Sequence, residues 1–283
     1  MTEKNQRCLL AVLAHPDDET FGCGGLLAKC AAQGVWVALV CATRGEVGEI
    51  ADTSLATPET LPQVRERALR SAADALGIGE IIFLGYRDSG MAGTEDNDNP
   101  NALIKASEEE VVSALVEIMR KKKPHVVLTF EPGGGYGHPD HMAMSRHTLL
   151  AVQAAGDGRR FPDRGEPWSV SRLFYGVFTR GRMTAMRDRL AEIGEDTSRF
   201  DRRLAEGHGW PDDETHVDLD VSAQADAKWA ALRSHRTQGG TFSLFSKLPE
   251  DVAKRLMSRE AFVLALPDAA PETRFSGLFD GLP

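Results

Sequence analysis

The stretch Ala14-His15-Pro16-Asp17-Asp18-Glu19 directly follows the apolar run Leu9-Leu10-Ala11-Val12-Leu13. Such a run is typical of a buried parallel strand, and a strand of this kind presents its last residues at the edge where open α/β sheets bind ligands. The spacing His15-x-x-Asp18 suits two ligands of one divalent metal and leaves Asp17 beside that metal as a possible base. The alternative is that Asp17 and Asp18 cap the following helix, although capping needs only one of them.

A second cluster of the same kind lies further along the chain. It reads Gly133-Gly134-Gly135-Tyr136-Gly137-His138-Pro139-Asp140-His141 and follows the apolar run 126–130, which predicts another buried strand. Because parallel strands end at one sheet edge, we expect this cluster to lie near His15. A lone His-x-x-His pair is a weak signal. Two histidine-and-aspartate clusters, each just after a buried strand, favour one shared metal site over caps and turns.

The composition indicates an acidic globular protein with a sizeable core. The chain has 283 residues, 42% of them hydrophobic, and a net charge of −9. We therefore expect one α/β domain over 1–283 that binds neither nucleic acid nor an anionic membrane surface. We find no signal peptide in 1–7 and no apolar run long enough to span a bilayer.

All the cysteines fall near the beginning of the sequence, on or beside the first two predicted strands and the helix between them. They are Cys8, Cys23, Cys30 and Cys41. Their spacing does not match a metal-binding pair, so we interpret them as small core residues of a reduced, cytoplasmic protein. Zinc binding by cysteine is the less favoured alternative.

Strand and helix signals alternate over about 1–155, as in a doubly wound, mostly parallel Rossmann-like sheet. The predicted strands there are 8–13, 35–42, 81–84 and 126–130, and the predicted helices are 20–32, 63–76, 107–122 and 141–154. Beyond residue 156 the signals weaken to strands at 172–178 and 216–221 and helices at 183–193 and 223–235. We predict that this C-terminal extension, 156–283, continues the same sheet and roofs the site.

Two further groups of residues have alternative interpretations. Polar residues in or next to the predicted carboxyl-edge loops could bind substrate hydroxyls or form loop salt bridges; they are Arg44, Glu46, Arg65 and Asp88. Gly22-Cys23-Gly24-Gly25 suggests dinucleotide binding, but Leu27 stands where the third glycine of that fingerprint belongs. We therefore interpret these small residues as helix–sheet packing.

The remaining histidines are weaker candidates for a site. His125 and His147 are predicted to be structural, and His235 at a helix end is as consistent with a cap as with a site residue. His208 and His216 flank Pro211-Asp212-Asp213-Glu214, which resembles the first motif but follows no buried strand. We interpret that stretch as a turn and a distant rival for metal binding.

At these motifs the sequence resembles the LmbE-like family, also called the PIG-L or N-acetylglucosaminyl-phosphatidylinositol de-N-acetylase family, of metal-dependent amino-sugar deacetylases. Beyond the two clusters, the matching segments are Thr43-Arg44-Gly45-Glu46, Phe83-Leu84-Gly85-Tyr86-Arg87-Asp88-Ser89-Gly90-Met91 and His235-Arg236-Thr237-Gln238. The segment 86–93 is most similar to the mycothiol-type branch of the family.

The resemblance implies a role for each matching residue. It implies that His15, Asp18 and His141 bind zinc, that Asp17 is the general base, and that His138 is the acid or the oxyanion partner. It further implies that Tyr136 polarises the carbonyl and that Arg65 and Asp88 hold the sugar or its aglycone. The residue chemistry agrees with this division, because two histidines and one carboxylate leave zinc an open position for water. Asp140 is a candidate to orient an imidazole.

We therefore predict a cytoplasmic hydrolase that uses Zn²⁺, with Fe²⁺ as an alternative metal, to remove acetyl from a small molecule containing N-acetylglucosamine. The nearest alternative is an amidase of the mycothiol-conjugate type, which cleaves a larger acyl group. A non-catalytic carbohydrate- or nucleotide-binding protein is the alternative from another class, but sugar binding alone requires neither Asp17 nor His138. A homo-oligomer is compatible with these predictions.

Overall fold

Seven strands form one sheet in the computed structural model, which describes residues 6–238 and 245–282. In chain order the strands are β1 (Cys8–Leu13), β2 (Trp36–Cys41), β3 (Glu80–Phe83), β4 (Val126–Phe130), β5 (Arg172–Val177), β6 (Val217–Asp220) and β7 (Arg259–Leu266). Their order across the sheet is β3-β2-β1-β4-β5-β7-β6. The pairs from β3 to β5 are parallel, and β7 pairs antiparallel with both β5 and β6. The predicted fold class, a mostly parallel α/β sheet, is confirmed.

Helices cover the sheet, and apolar residues on its two faces form separate core clusters. The helices are α1 (Asp18–Ala32), α2 (Leu61–Leu76), α3 (Glu108–Lys122), the single turn α4 (Gly134–Gly137), α5 (Pro139–Ala155), α6 (Arg180–Glu192), α7 (Ser198–Ala205), α8 (Ala225–Ser234) and α9 (Glu250–Leu256). The sequence analysis missed α7, α9 and strand β7. Among the described residues, no helix is long and apolar enough to cross a membrane.

Helices α1 and α5 begin earlier than the sequence predicts, and this brings the two motifs into their first turns. Helix α1 begins at Asp18 and α5 at Pro139, whereas the predicted starts are 20 and 141. Proline is favoured in a first helical turn, and the His138 side chain caps α5 by accepting a hydrogen bond from the Asp140 N–H. Both motifs therefore lie where a strand end meets a helix N-terminus.

The segment beyond 156 extends the sheet through β5, β7 and β6, as predicted. It also contacts the first helix through Glu260 of β7, whose carboxylate accepts hydrogen bonds from the Gly25 and Leu26 N–H groups at 2.8 and 2.7 Å. Lys228 of α8 completes this buried cluster with its Nζ 2.6 Å from Glu260 Oε1. The assignment of 1–283 to one domain stays a prediction. The signal-peptide prediction falls mainly on 1–5, which lie outside the described residues.

Arg120, near the end of α3, organises the segment after α5. Its guanidinium is buried and donates to backbone carbonyl oxygens of Ala154, Ala155, Asp157, Arg160, Phe161 and Gly165 at 2.6–3.4 Å. Arg120 thus supplies hydrogen-bond donors to backbone carbonyls along the segment 154–165.

Candidate active site

Three side chains converge just beyond the carboxyl ends of β1 and β4. The Nδ1 atom of His15 lies 3.2 Å from Nε2 of His141. Asp18 completes the triangle, with carboxylate oxygens 3.7 Å from His15 Nδ1 and 3.3 Å from His141 Nε2. Two nitrogen ligands of one tetrahedral zinc stand about 3.3 Å apart, so this set has the size that such an ion requires.

Hydrogen bonds at the far sides of the two imidazoles indicate which nitrogen of each ring carries the proton. His141 Nδ1 lies 3.2 Å from the Gly134 carbonyl oxygen, and His15 Nε2 lies 3.1 Å from Asp140 Oδ2. Because both partners are acceptors, these nitrogens donate, so the facing nitrogens are the ones left to bind a cation. Either a proton carried by His15 or a divalent metal can neutralise the repulsion between them, and the donor spacing fits a metal. Gly134 and Asp140 hold the two rings in the tautomers that metal ligation would require.

Two more groups near His15 have the donor spacing of a metal site. Among residues 6–238 and 245–282, the groups that fit are His15 with His138 and His141, and His15 with Asp88 and Asp140. Both contain His15, so all candidate ligand sets describe one location. Asp18 stays the predicted third ligand, because its carboxylate oxygens face the inner nitrogens of both imidazoles, whereas Asp140 faces the outer nitrogen of His15.

The charges of these groups are strongly coupled. Burial opposes the charged form of His15, yet the Asp88, Asp140 and Asp18 carboxylates outweigh it and raise the pKa of His15 well above its usual value. Burial likewise opposes ionisation of Asp18, but His141 and His15 lower the pKa of its carboxyl below the usual range. The site thus favours a positive charge at its centre, which is the charge that a metal ion supplies.

Asp17 occupies an unusual backbone conformation beside this centre. Its φ of 129° lies in the region that favours glycine, and its Oδ2 is 3.2 Å from Nη2 of Arg65. Burial raises the pKa of Asp17 to about 6, with Arg65 opposing and Asp18 reinforcing the shift. A carboxylate of this kind is ionised at neutral pH and basic enough to accept a proton, as the predicted general base must be.

His138 lies against the rings of His15 and His141, with its Nε2 3.9 Å from Asp88 Oδ1. Its ring centroid is 4.5 Å from that of His15, and its Nδ1 accepts the N-cap hydrogen bond of α5, so Nε2 carries the proton. Burial, together with repulsion from His15 and His141, lowers the pKa of His138 to about 4. The neutral ring can donate through Nε2, which favours the oxyanion partner over the acid among the two predicted roles.

Tyr136 lies at the mouth of the site on the glycine-rich turn. Its side chain is partly open to solvent, at 47% exposure, and its ring meets those of His138 and His141 edge-on. Gly134, Gly135 and Gly137 have φ values of 68–87°, which let the turn bend sharply around this residue. The phenol is therefore accessible to a bound substrate.

The four predicted substrate residues differ in how accessible they are. Arg65 and Asp88 are buried at 3% exposure, Arg65 against Asp17 and Asp88 with its Oδ1 3.4 Å from His15 Nε2. Glu46 connects two loops by accepting from the Asp88 N–H at 2.9 Å. Arg44 retains 35% side-chain exposure while pairing with Glu66. Their substrate-binding role stays a prediction.

The histidines outside the cluster have other partners. His208 is exposed and lies 3.3 Å from Glu206, and His216 Nδ1 accepts from the Leu264 N–H at 3.2 Å. His125 accepts from the Cys8 N–H, in keeping with a structural role. His235 Nε2 donates to Glu19 Oε1 at 2.7 Å and is fully enclosed.

Several residues that shape the site carry no role in the sequence analysis. Phe130 stacks on His141 with centroids 4.0 Å apart, and the Ser89 N–H donates to Asp140 Oδ2 at 3.0 Å. Glu19 accepts from the Asp17 N–H at 2.9 Å. The position of Phe130 at the end of β4, and of Glu19 within the first motif, is a sequence signal that could have identified both.

Comparison with known proteins places the chain in a family. Residues 10–152 match the family described as PIG-L: GlcNAc-PI de-N-acetylase. The chain belongs to this family, which confirms the resemblance noted in the sequence.

Relatives along the whole chain bear the name 1D-myo-inositol 2-acetamido-2-deoxy-alpha-D-glucopyranoside deacetylase. The Streptomyces scabiei protein is 38% identical over 97% of this chain and 90% of its own length, and the Rhodococcus opacus protein is 38% identical over 98% and 99%. The fold is also similar to that of N,N'-diacetylchitobiose deacetylase from Pyrococcus horikoshii, with a TM-score of 0.62 at 21% identity over 92% of this chain and 84% of that one. The family and the two relatives confirm the predicted enzyme class, an N-deacetylase.

Proposed function

We propose that the protein removes the acetyl group from N-acetylglucosamine linked to inositol, with release of acetate and a free amine. The named deacetylases that align with nearly the whole chain support this substrate class. The observation that carries the proposal is the pair of facing ring nitrogens of His15 and His141, 3.2 Å apart and beside the carboxylates of Asp17 and Asp18.

His15, Asp18 and His141 would hold the metal, which we propose to be Zn²⁺, with Fe²⁺ as the alternative. When bound, a divalent ion of this kind makes water more acidic and polarises a carbonyl oxygen. Asp140 and Gly134 keep the two imidazoles in the tautomers that ligation requires.

Asp17 takes the proton from the attacking water in this proposal. The water oxygen bonds to the acetyl carbon, the carbonyl oxygen gains negative charge, and the C–N bond then breaks as the proton passes to the leaving amine. Asp17 suits this exchange because burial has already raised its pKa to about 6. Arg65 holds the carboxylate in place through Nη2.

His138 and Tyr136 stabilise the charge that develops on the carbonyl oxygen. Nε2 of His138 carries a proton in the tautomer set by the α5 cap, so it can donate a hydrogen bond to this oxygen. The exposed phenol of Tyr136, whose ring contacts that of His138, is the proposed second donor. Arg44 and Glu46, on the loop after β2, are the proposed contacts for hydroxyl groups of the sugar or inositol.

The residue chemistry supports a location and a metal. We propose a cytoplasmic location because Cys8, Cys23, Cys30 and Cys41 are all free and buried. Zn²⁺ suits a site of two imidazoles and one carboxylate.

The function is tested by measuring acetate release from N-acetylglucosamine linked to inositol, to malate and to phosphatidylinositol. We expect the inositol conjugate to be the best substrate of the metal-loaded protein. The variants His15→Ala, Asp18→Ala and His141→Ala should lose bound metal and activity together, whereas His208→Ala should keep both. Release of a larger acyl group from a mycothiol S-conjugate, without acetate release, would instead identify an amidase. Inactivity on every substrate with full metal loading would overturn the proposal.

A further inference from the structure

The peptide bond between Pro16 and Asp17 is held from both sides. Its carbonyl oxygen, on Pro16, accepts a hydrogen bond from Arg65 Nη2 at 2.6 Å. Its N–H, on Asp17, donates to Glu19 Oε2 at 2.9 Å. One side chain from α2 and one from α1 thus fix the plane of a single peptide unit.

The orientation of this peptide determines where Asp17 points. Asp17 is one of three non-glycine residues with positive φ among the described residues, together with Lys123 and Phe161. Such a conformation costs on the order of 1–3 kcal/mol and persists only when its surroundings impose it. Because the φ angle of Asp17 relates this peptide plane to its side chain, a rotation of the plane would disturb the contact between Asp17 Oδ2 and Arg65 Nη2.

Glu19 can impose this conformation only if its own carboxylate is fixed. Glu19 is fully buried, and its Oε1 accepts from His235 Nε2 at 2.7 Å and from the Thr20 hydroxyl. His235 lies 216 residues further along the chain, at the C-terminal end of α8. The segment after it is anchored to the loop that follows β2, because Thr237 O accepts from the Ala51 N–H at 3.0 Å and Gln238 Nε2 donates to Glu49 O.

We propose that Glu19 and His235 form a positioning pair that, together with Arg65, clamps the Pro16–Asp17 peptide and sets the direction of the Asp17 carboxylate. Neither residue reaches the substrate, since both are enclosed at 0–1% exposure. In this proposal His235 is a positioning residue that acts through Glu19, and not a helix cap. This inference rests on the proposed role of Asp17 as the base.

Substitution of His235 tests the clamp more cleanly than substitution of Glu19, because Glu19→Ala leaves a cavity and an unpaired N–H in the first turn of α1. His235→Leu removes the hydrogen-bond donor to Glu19 and fills the buried position with an apolar side chain. His235→Gln places an amide N–H near the former Nε2 and can restore the hydrogen bond. His216→Leu is the matched control, since His216 is also a buried histidine of the C-terminal segment and its ring accepts a hydrogen bond from the Leu264 N–H, far from Glu19 in the sheet.

The kinetic readout is kcat and KM for acetate release by the metal-loaded variants. We expect His235→Leu to lower kcat about 10–100-fold with KM within about twofold, because a small misplacement of a catalytic group affects the reacting step more than binding. His235→Gln should recover most of kcat, and His216→Leu should retain it even where its melting temperature falls. Equal kcat in His235→Leu and His235→Gln, or an equal loss in His216→Leu, would overturn the proposal.

A structural readout separates this inference from the proposed function. Crystal structures of the metal-loaded wild type and of His235→Gln should show positive φ at Asp17. The structure of metal-loaded His235→Leu should show a changed φ there. The clamp is refuted if Asp17 keeps its conformation and its Arg65 contact in His235→Leu. An inactive wild type with this structural result would reject the deacetylase function while leaving the clamp intact.

Discussion

Asp140 Oδ2 lies 3.1 Å from Nε2 of His15, on the side of the imidazole opposite the nitrogen that faces His141. The same oxygen accepts a hydrogen bond from the Ser89 N–H at 3.0 Å. This second hydrogen bond fixes the carboxylate that orients the His15 ring. A metal-ligating histidine held by a buried carboxylate is a stronger ligand, and its tautomer is defined.

Asp140→Ala should therefore weaken metal binding without removing a ligand. We expect the affinity to fall about 10–100-fold, the usual effect of losing such a partner. Asp140→Asn should lose less, because its amide oxygen can still accept from His15. Competition with a chelator of known affinity measures both, and the exposed Asp98→Ala is the control. Unchanged affinity in Asp140→Ala would show that His15 needs no such support.

Asp17→Asn and His138→Ala should separate catalysis from metal binding. Each should keep the metal and lose about a hundredfold or more in turnover, the typical contribution of a positioned proton acceptor or hydrogen-bond donor. Elemental analysis and steady-state kinetics on the same preparations provide the test. Metal loss from Asp17→Asn would mean that the roles of Asp17 and Asp18 are exchanged, and near-normal turnover of either variant would reject its assigned role.

Arg65→Ala should affect all substrates alike. Arg65 is buried against Asp17 and Pro16, so its loss disturbs the base rather than a contact with one particular aglycone. We expect kcat/KM for the inositol conjugate and for N-acetylglucosamine to fall by similar factors, equivalent to roughly 1–3 kcal/mol. A much smaller loss on N-acetylglucosamine would instead place Arg65 against the aglycone, one of the two contacts that the family resemblance implies.

Arg120→Ala should lower stability while sparing the active site. Its guanidinium is the hydrogen-bond donor for six carbonyl groups between Ala154 and Gly165, which would lose that partner together. We expect the free energy of unfolding to fall by about 2–4 kcal/mol, with kcat unchanged at a temperature where the variant is folded. Arg120→Lys should recover only part of this, because an ammonium group has three donors. Denaturant titration of both variants measures the difference, and wild-type stability in Arg120→Ala would contradict the assignment.

The cysteines should be unreactive in the folded protein. Burial raises the pKa of Cys8 and of Cys30 to about 12, and that of Cys23 and Cys41 well above the usual value. Because the thiolate is the reactive form, we expect no colour from a disulfide reagent at pH 8 until denaturant is added. All four free thiols should then react. Rapid labelling of the native protein would show that at least one of them reaches solvent.

The sequence predicts the centre of the fold and of the site because both depend on local patterns. The runs 9–13 and 126–130 are predominantly apolar, and each is followed within about ten residues by a motif of histidine and aspartate. Sheet geometry alone then brings the two motifs together. The strands β1 and β4 were predicted with the bounds that the structure shows.

Features that depend on contacts between distant residues could not be predicted in this way. The apolar run 261–266 of strand β7 is a strand signal that the sequence analysis did not use, but the place of β7 between β5 and β6 has no signal in the sequence. Likewise, nothing near Glu19 indicates that its partner is His235. Arg65 is buried because α2 packs beside the first motif. Helix propensity and hydrophobic periodicity do not predict which helices pack against each other.

The place of β7 in the sheet has a consequence for biosynthesis. Strand β6 leaves the ribosome before β7, although β7 is its only hydrogen-bonded neighbour among the described strands. Until β7 emerges, one edge of β5 has no strand to pair with. The Gly25 and Leu26 N–H groups also lack their acceptor, the Glu260 carboxylate. A translational stall between β6 and β7 would therefore expose a strand edge to which a neighbouring nascent chain can add. The yield of this enzyme should depend on uninterrupted translation of that segment.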